Sequence, residues 1–403
     1  MKFNKLSQLF LVSFIGLIVA TLLTACELVT IDYVYVACSA GTGAGSAGQI
    51  YTYDADSQSG ALRVGAPTVD SGGTSPVALA VSPDYYGLYV ANQGNKSVVH
   101  FGVDDHGILT KAESVTLANA PVAIAVNSAG TYLYVLSGTT SATLTEYSLS
   151  KDVIGSVVAT VNLSLPAYTT DTLVPTGVTV LANSSGVYVS AYDKSAYNPG
   201  GTTTSNANPG WLFGYAVGSS GALTAVSGSP YQAGVKPSAV TTDPVNRWVY
   251  LTDYASNELI GYTVQSGDSL NFMFNGPFKT GNEPTALTVD PRGTYIYLTN
   301  SLDSSVSAYS IILQTGTPTT VVNSTASAGN ATDTQPVSIL VDPSLGRFVY
   351  TANYLGNSVS GFRLNPETGA LSTLQATPYP TGVNPTALAA VPHGNHSSQS
   401  VTP

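Results

Sequence analysis

The sequence predicts an all-β fold, a seven-bladed β-propeller of four-stranded antiparallel blades whose ring closes by pairing of the N- and C-terminal strands. Three observations predict it. One sequence unit recurs seven times, each unit contains four short strand patterns, and the two ends of the array carry complementary parts of a unit. We find no helical periodicity of useful length after the N-terminal segment.

The repeated unit opens with a proline that is followed by alternating apolar residues. Its copies begin at intervals of about 45 to 62 residues, close to the length of propeller blades. The opening prolines are Pro76, Pro121, Pro175, Pro237, Pro284, Pro336 and Pro385.

The copy that begins at Pro336 shows the unit most clearly. Its strand patterns are rich in Val, Tyr, Ile and Thr, and turns with proline and glycine in their preferred positions separate them. These patterns cover 336–341, 348–352, 357–364 and 370–374. A single four-stranded sheet would expose two faces and two edges. Radial stacking of the sheets covers the faces and leaves only short edges.

The ends of the array predict how the ring closes. The first strand pattern, at Tyr33, is a second-strand pattern, whereas the last, at 385–391, is a first-strand pattern with nothing after it. Together they complete one unit, so the C-terminal strand is expected to become the innermost strand of the first blade. The alternative, an open solenoid, would need polar caps at both ends.

The first 25 residues predict a lipoprotein signal peptide. Lys2 and Lys5 precede an apolar stretch at 9–23 that is too short for a comfortable membrane span. The Leu-Thr-Ala-Cys sequence at 23–26 resembles the bacterial lipobox, which predicts lipidation of Cys26. An ordinary signal peptide with an incidental cysteine is the alternative.

The predicted organisation is a signal peptide at 1–25, a lipidated tether at 26–32, the propeller at 33–391 and a disordered tail at 392–403. We expect an exported protein that the lipid anchors to a membrane. Because Glu27 rather than an aspartate follows the cysteine, we expect the outer membrane, and the periplasmic or surface side stays open.

Charge narrows the range of partners. The net charge is −10, and loss of Lys2 and Lys5 with the signal peptide brings it to about −12. This balance argues against nucleic acid and against direct binding to anionic lipid head groups, so the lipid is the only expected membrane contact. We expect a monomer whose partner is a protein or a glycan.

Two insertions interrupt the regular units, at 39–49 and 192–211. Both fall between second and third strands, on the rim from which the innermost strands start. Insertions concentrated on one rim are typical of a recognition face, although neutral loop drift would produce the same pattern.

The second-strand patterns resemble a known repeat. The segments 89–92, 250–253, 297–300 and 350–353 are similar to the YVTN-type repeat, and 357–360 and 366–371 match the segments that follow it. The chain therefore resembles the lactonase-like propeller group, which includes enzymes of the 6-phosphogluconolactonase type. The resemblance covers 33–391 and implies the propeller fold and, as one possible activity, lactone hydrolysis.

Enzymes of that group share a Pro-Arg-His on an inner strand and a glutamate shortly after a second strand. No Arg-His pair occurs in this sequence. The residues that follow the second strands are Gln93, Tyr254, Ser301 and Tyr354. We therefore predict no catalytic residue from the resemblance.

Histidine and cysteine offer little further chemistry. Of the four histidines, His393 and His396 lie in the tail, His106 lies in a turn, and His100 lies on a third strand away from the channel. Cys38 lies in a strand pattern and is expected to be a buried thiol without a disulfide partner. We expect no metal site and no cofactor.

The channel mouth holds the candidate binding residues. Lys236 and Glu283 directly precede two inner strands and are either ligand-binding residues or a solvated surface pair. Four residues that end second strands are ligand-binding candidates or, alternatively, Asx turns that satisfy the backbone. They are Asn92, Asp253, Asn300 and Asn353. On the opposite rim, three arginines are expected to pair with turn aspartates, as Arg247–Asp243, Arg292–Asp290 and Arg347–Asp342.

Two functions remain open. The first is a non-catalytic cell-envelope scaffold that binds a protein or glycan at the channel-mouth rim. The second is a lactone hydrolase with a substituted site in which Lys236 and Glu283 take part. The channel lining distinguishes them, because converging Arg, His and Glu would favour the enzyme and Thr, Ala and Val alone would oppose it.

Overall fold

The structure is a computed structural model that describes residues 29–40, 46–165, 172–197, 208–321 and 329–394. These residues form seven antiparallel sheets arranged as the blades of a propeller, which confirms the predicted fold class. Outside the sheets, one short 3₁₀ turn at Ser266–Asp268 is the helical element of the described residues. No helix in these ranges is long and apolar enough to cross a membrane.

Each blade runs from an innermost strand to an outer strand, and blade 1 is the composite of the two chain ends. The innermost strands of blades 1 to 7 are Val383–Pro392, Pro76–Val81, Pro121–Val126, Leu173–Val180, Pro237–Thr242, Pro284–Val289 and Pro336–Val341. The second strands are Thr30–Ala40, Gly87–Asn92, Tyr132–Ser137, Gly186–Asp193, Trp248–Asp253, Tyr295–Asn300 and Phe348–Asn353.

The third strands are Gln49–Asp56, Ser97–Val103, Thr143–Ser150, Gly210–Val217, Glu258–Val264, Ser305–Ile311 and Ser358–Leu364. The outer strands are Leu62–Val64, Leu109–Thr116, Val153–Asn162, Leu223–Ala225, Leu270–Phe272, Pro318–Thr320 and Leu371–Thr373. In five blades a further two-residue strand pairs with the third strand. These short strands are Val69–Asp70, Tyr231–Gln232, Phe278–Lys279, Asn330–Ala331 and Tyr379–Pro380.

Pairing of the chain ends closes the ring. Thr30–Ala40 pairs antiparallel with Val383–Pro392, and the register places Tyr33 opposite Val391 and Val36 opposite Leu388. The first strand starts at Thr30, three residues before the predicted start of the propeller, and the last strand ends one residue later than predicted.

The core lies between blades, where second strands of neighbouring sheets pack face to face. A tyrosine at the centre of every second strand is fully buried. In six blades its hydroxyl donates a hydrogen bond to a turn carbonyl of the next blade, so each tyrosine fastens two sheets together. The donor–acceptor pairs are Tyr35–Gly107, Tyr89–Asp152, Tyr188–Asp268, Tyr250–Gly316, Tyr297–Gly369 and Tyr350–Gly60.

The turns on the rim opposite the channel mouth are closed by buried aspartates. Arg247 Nε lies 2.8 Å from Asp243 Oδ2, and Arg292 Nη1 lies 3.7 Å from Asp290 Oδ2, as predicted. The third predicted pair differs, because Arg347 donates its backbone N–H, not its guanidinium, to Asp342. The Asp342 carboxylate accepts four backbone N–H groups of its turn and needs no guanidinium.

Candidate functional site

The inner strands surround a cavity of about 340 Å³ on the propeller axis. The residues that line it are small apolar or hydroxyl-bearing side chains with neither a charge nor an imidazole. They include Val77, Val122, Thr176, Ser238, Thr285, Val337 and Thr386. Hydrolysis inside the channel would need a base and a cation beside the developing oxyanion, and the residues that line the cavity supply neither.

Several hydroxyls of the channel already have structural partners. The Ser238 hydroxyl donates to the carbonyl of Pro284 at 2.6 Å, across the boundary between blades 5 and 6. Thr285 and Thr386 make the same contact with the next blade, at 2.9 and 2.7 Å. These hydroxyls hold neighbouring innermost strands together, and no described histidine or carboxylate lies beside them in the lining to activate them as nucleophiles.

The four residues that end second strands have buried side chains, which are not exposed on the channel-mouth rim. Asn92, Asp253, Asn300 and Asn353 are all 0 % exposed. The amides of Asn300 and Asn353 each donate to two serine hydroxyls of the third strand in their own blade, at 2.9 to 3.0 Å.

Asn92 and Asp253 bind the loop that leads into the innermost strand. Asn92 Nδ2 donates to the carbonyl of Ser71 at 3.0 Å. The Asp253 carboxylate accepts the backbone N–H groups of Val235 and Lys236, in the loop that leads into the innermost strand. It also accepts those of Ala255 and Ser256, in the turn that follows the second strand. These contacts favour the structural alternative for all four residues, because no side-chain surface is left for a ligand.

Lys236 lies on the channel-mouth rim, the end of the ring at which innermost strands begin. Its ammonium faces three tyrosine rings, with Nζ 4.4 Å from the ring centre of Tyr254, 5.4 Å from that of Tyr197 and 5.8 Å from that of Tyr192. We call these three rings the tyrosine box. All three distances are within the range of cation–π attraction. Among the described residues, no carboxylate forms an ion pair with Lys236.

Glu283 directly precedes Pro284, the first residue of the innermost strand of blade 6. Its backbone has φ +53°, and its N–H donates to Asn257 Oδ1 at 2.8 Å. Burial and a hydrogen bond with the Glu283 carboxylate raise the pKa of the Tyr254 hydroxyl to about 12. Tyr254 therefore lies near both candidate residues, since its ring faces the lysine and its hydroxyl is close enough to the glutamate for their interaction to raise its pKa.

The structure thus brings Lys236 and Glu283 into one cluster and separates them from the four buried Asn and Asp residues. Sequence reasoning missed the tyrosine box. Tyr254 was noted as the residue after a second strand and Tyr192 as the start of an insertion, but no spacing links them to Lys236. The cluster offers aromatic faces, one cation and one hydrogen-bond acceptor at the edge of a neutral channel.

The described histidines lie away from this cluster. His100 Nδ1 is 3.0 Å from Glu113 Oε1 and the imidazole stacks on Tyr89, while His393 packs beside Tyr33. His396 lies outside the described residues. Within the described ranges no group of three or more His, Cys, Asp and Glu residues is arranged to hold a metal ion.

Cys38 is a buried free thiol, and burial raises its pKa to about 11. Cys26, the predicted site of lipidation, lies outside the described residues, as does the C-terminal segment from 395 onward. The two insertions lie only partly within them, and their described ends are on the channel-mouth rim.

A family model described as lactonase, seven-bladed β-propeller, matches residues 33–166 and 107–396. A search of the curated proteins finds no match. Together the two matched ranges cover residues 33–396, which is nearly the whole propeller.

Solved structures resemble the chain over most of its length. A protein from Bacteroides uniformis, proposed to be a 6-phosphogluconolactonase, is 17% identical with a TM-score of 0.72, over 90% of this chain and 100% of its own. The periplasmic gluconolactonase of Pseudomonas aeruginosa is 17% identical with a TM-score of 0.70, over 90% and 99%. At such identity the likeness shows the fold alone.

Proposed function

We propose that this chain, which belongs to the family of lactonases with a seven-bladed β-propeller, is a carbohydrate-binding protein of the cell envelope. Because the fold hosts many activities, the proposal is based on the residues of the channel-mouth rim. The observation that carries the proposal is the cluster of Lys236, Glu283 and the tyrosine box beside a channel without charge. The ligand would bind at the channel-mouth rim.

The chemistry of the cluster suits a sugar. The three rings are half-buried, so each keeps part of its surface for a ligand. The C–H face of a pyranose packs against such rings, and its hydroxyls donate to an acceptor such as Glu283. Aromatic side chains also bring contact area at a low entropic cost, since a tyrosine has only two side-chain torsions to fix.

Calorimetry with a panel of oligosaccharides tests the proposal. Tyr254→Ala is expected to weaken binding at least tenfold, because it removes the ring that lies nearest to Lys236. Tyr354→Ala is the matched control. It follows the second strand of blade 7 as Tyr254 follows that of blade 5, but it contributes no ring to the box, so binding should stay within about twofold. Absence of oligosaccharide binding, or equal losses in the two variants, would overturn the proposal.

A second candidate function, hydrolysis of a sugar lactone, is favoured by the family match. In that case Glu283 would act as the base and Lys236 would stabilise the developing oxyanion. Turnover of glucono-δ-lactone and of 6-phosphogluconolactone by the purified protein decides between the two functions. The binding proposal expects no rate above spontaneous hydrolysis. Activity that survives both Lys236→Met and Glu283→Gln would exclude this cluster as the site of hydrolysis.

We further propose that the protein is anchored by lipid at Cys26, in the outer membrane of a cell with two membranes. The support is the lipobox-like sequence at 23–26 and Glu27 after it. Growth with a labelled fatty acid should label the protein, and Cys26→Ser should abolish the label. A label that persists in Cys26→Ser would contradict the proposal.

A further inference from the structure

The rim opposite the channel mouth is the end of the ring at which the predicted lipidated tether meets the propeller. Second strands begin at this rim, and the second strand of blade 1 begins at Thr30. The carbonyl of the preceding residue, Val29, accepts the backbone N–H of Ser57 at 2.8 Å, in the turn between the third and outer strands of blade 1. Val29 is therefore held on this rim, and its side chain is exposed.

The tether is too short to reach the channel mouth. Three residues of extended chain span at most about 11 Å, which limits the distance between Cys26 and Val29. The third strand of blade 6, Ser305–Ile311, is by itself about 23 Å long. A lipid on Cys26 would therefore bring the opposite rim close to the membrane and direct the channel mouth away from it.

A cleft of about 420 Å³ opens on this rim in blade 7. Arg347, Arg363 and Glu367 are exposed and line the cleft, but no two of them form an ion pair. Arg363 also donates to the carbonyl of Gln58, so the cleft adjoins the turn of blade 1 that holds the tether. Opposite charges thus share one cleft without neutralising each other.

These charges match a zwitterionic head group. Guanidinium groups bind phosphate through charge-assisted hydrogen bonds, and a carboxylate accepts hydrogen bonds from an ammonium. A phosphoethanolamine group carries a phosphate and a primary ammonium two carbons apart. The volume of the cleft is within the range of sites that bind small molecules.

The rim exposes apolar side chains on both sides of the cleft. They are Val29 on blade 1 and Ile312 and Leu313 on blade 6. Such side chains can enter the boundary between lipid head groups and acyl chains. Blade 2, beyond blade 1, adds three exposed carboxylates on this rim, those of Asp84, Asp104 and Asp105. Contact with a membrane is therefore expected at blades 6, 7 and 1 and not around the whole rim.

From these observations we infer that the rim of blades 6, 7 and 1 lies on the membrane surface and that the cleft of blade 7 binds the head group of a phosphoethanolamine lipid. The phosphate would lie at Arg347 and Arg363, and the ammonium at Glu367. The inference rests on the proposed lipid at Cys26 and adds a second membrane contact. The net charge argues against anionic head groups, but it does not argue against a head group without net charge.

Fluorescence quenching in vesicles of phosphoethanolamine lipid tests the orientation. Leu313→Cys and Leu302→Cys place a dye at opposite ends of the third strand of blade 6, since both leucines are exposed and Cys38 is buried. With the full-length lipidated protein, a quencher carried by the lipid should act at least threefold more strongly at position 313. Equal quenching of protein that stays with the vesicles would overturn the inference and leave the anchor standing. Protein that leaves the vesicles would overturn both.

Calorimetry with soluble head groups tests the cleft. Glycerophosphoethanolamine should bind at least fivefold more tightly than inorganic phosphate or glycerophosphocholine, whose quaternary ammonium has no N–H to donate. Arg347→Gln should weaken this binding at least tenfold, and the turn should persist because Arg347 binds Asp342 through its backbone N–H. Lys151→Gln is the matched control, since this exposed lysine lies on the same rim in blade 3, outside the cleft. Its binding should stay within about twofold of the wild type.

Glu367→Gln should remove the preference for ethanolamine over choline while the phosphate is still bound. Inorganic phosphate or glycerophosphocholine that bound as tightly as glycerophosphoethanolamine would overturn the head-group assignment. Equal losses in Arg347→Gln and Lys151→Gln, or no binding of any probe, would overturn it as well. None of these outcomes affects the carbohydrate site, which lies on the other rim.

Discussion

Seven tyrosines occupy the centres of the second strands, and the residue paired with each on the third strand shows how blades differ. In five blades that residue is small, namely Thr52, Gly214, Gly261, Ala308 or Gly361. In blades 2 and 3 it is His100 and Glu146. Tyr89 still reaches the turn of blade 3 with His100 opposite it. In blade 3 the Tyr134 hydroxyl instead lies beside the Glu146 carboxyl and makes no hydrogen bond of ordinary geometry to the turn of the next blade.

Glu146 is a buried ionisable group of the described core that lacks partners. It is 0 % exposed, and neither carboxylate oxygen has a hydrogen bond of ordinary geometry. It lies beside the Tyr134 hydroxyl and against the turn of blade 4, where a Cβ built on Gly221 would be 2.5 Å from Oε1. Burial raises the pKa of Glu146 to about 7, since no cation of the neighbouring elements compensates its charge.

The raised pKa predicts how stability depends on pH. The folded protein holds the Glu146 proton up to about pH 7, whereas the unfolded chain releases it near the usual glutamate pKa of 4.5, so the free energy of unfolding falls as pH rises through this window. Glu146→Gln removes this fall and should be more stable than the wild type by about 2–3 kcal/mol at pH 8, with little difference at pH 4. Denaturant unfolding between pH 4 and 8 measures it. The exposed Glu367→Gln should stay within about 0.5 kcal/mol of the wild type. Parallel profiles for Glu146→Gln and the wild type would contradict the prediction.

The turn between third and outer strands is the element that joins one blade to the next. In blade 7 it ends at Gly369, whose φ of +72° favours glycine and whose carbonyl accepts the Tyr297 hydroxyl of blade 6 at 2.8 Å. A Cβ at this position would lie 2.3 Å from the ring of Tyr295. Both backbone conformation and packing therefore require glycine here.

Gly369→Ala should destabilise the protein by about 2–4 kcal/mol, because strain in the turn adds to displacement of the Tyr295 ring. Gly267→Ala is a control that separates these effects. Gly267 lies in the equivalent turn of blade 5 with nearly the same φ, +73°, but nothing lies within 4 Å of its Cβ position. It should lose only about 1 kcal/mol. Thermal unfolding compares the two variants, and equal losses would show that packing against Tyr295 adds nothing.

The same elements show what could be predicted from sequence. Strands, turns and ring closure were predictable because every unit repeats its proline, its tyrosine and its turn residues, and these are the residues that the fold uses between blades. Repetition alone could not separate the two alternatives given for the residues that end second strands, and the structure shows that Asn300 and Asn353 recur as buried links to the third strand. The tyrosine box was not predictable, because it joins a loop of blade 4 to the rim of blade 5 and is not repeated in the other blades as far as the structure describes them.

The ring as a whole depends on one pairing between residues more than 340 positions apart. Val383–Pro392 supplies the innermost strand of blade 1 and also packs beside the first strands of blades 2 and 7. Leu388 lies in the same apolar cluster as Val36 and Tyr350, so this strand buries the composite blade against blade 7. The C-terminal strand, which is synthesised last, therefore joins blade 1 to blade 7.

Removal of residues 383–403 should consequently destabilise every blade, not only the first. Without the last strand, Tyr35 and Val36 keep their pairing with the third strand but lose their partners on the inner side, and blades 2 and 7 each lose a neighbour. We expect a loss of more than about 3 kcal/mol of unfolding free energy and binding of a hydrophobic dye, measured by denaturant unfolding and fluorescence. Removal of 395–403 alone keeps the whole strand and should leave the unfolding midpoint unchanged. If the longer deletion also left it unchanged, the blades would be stable as an open array, and closure would not be what stabilises the ring.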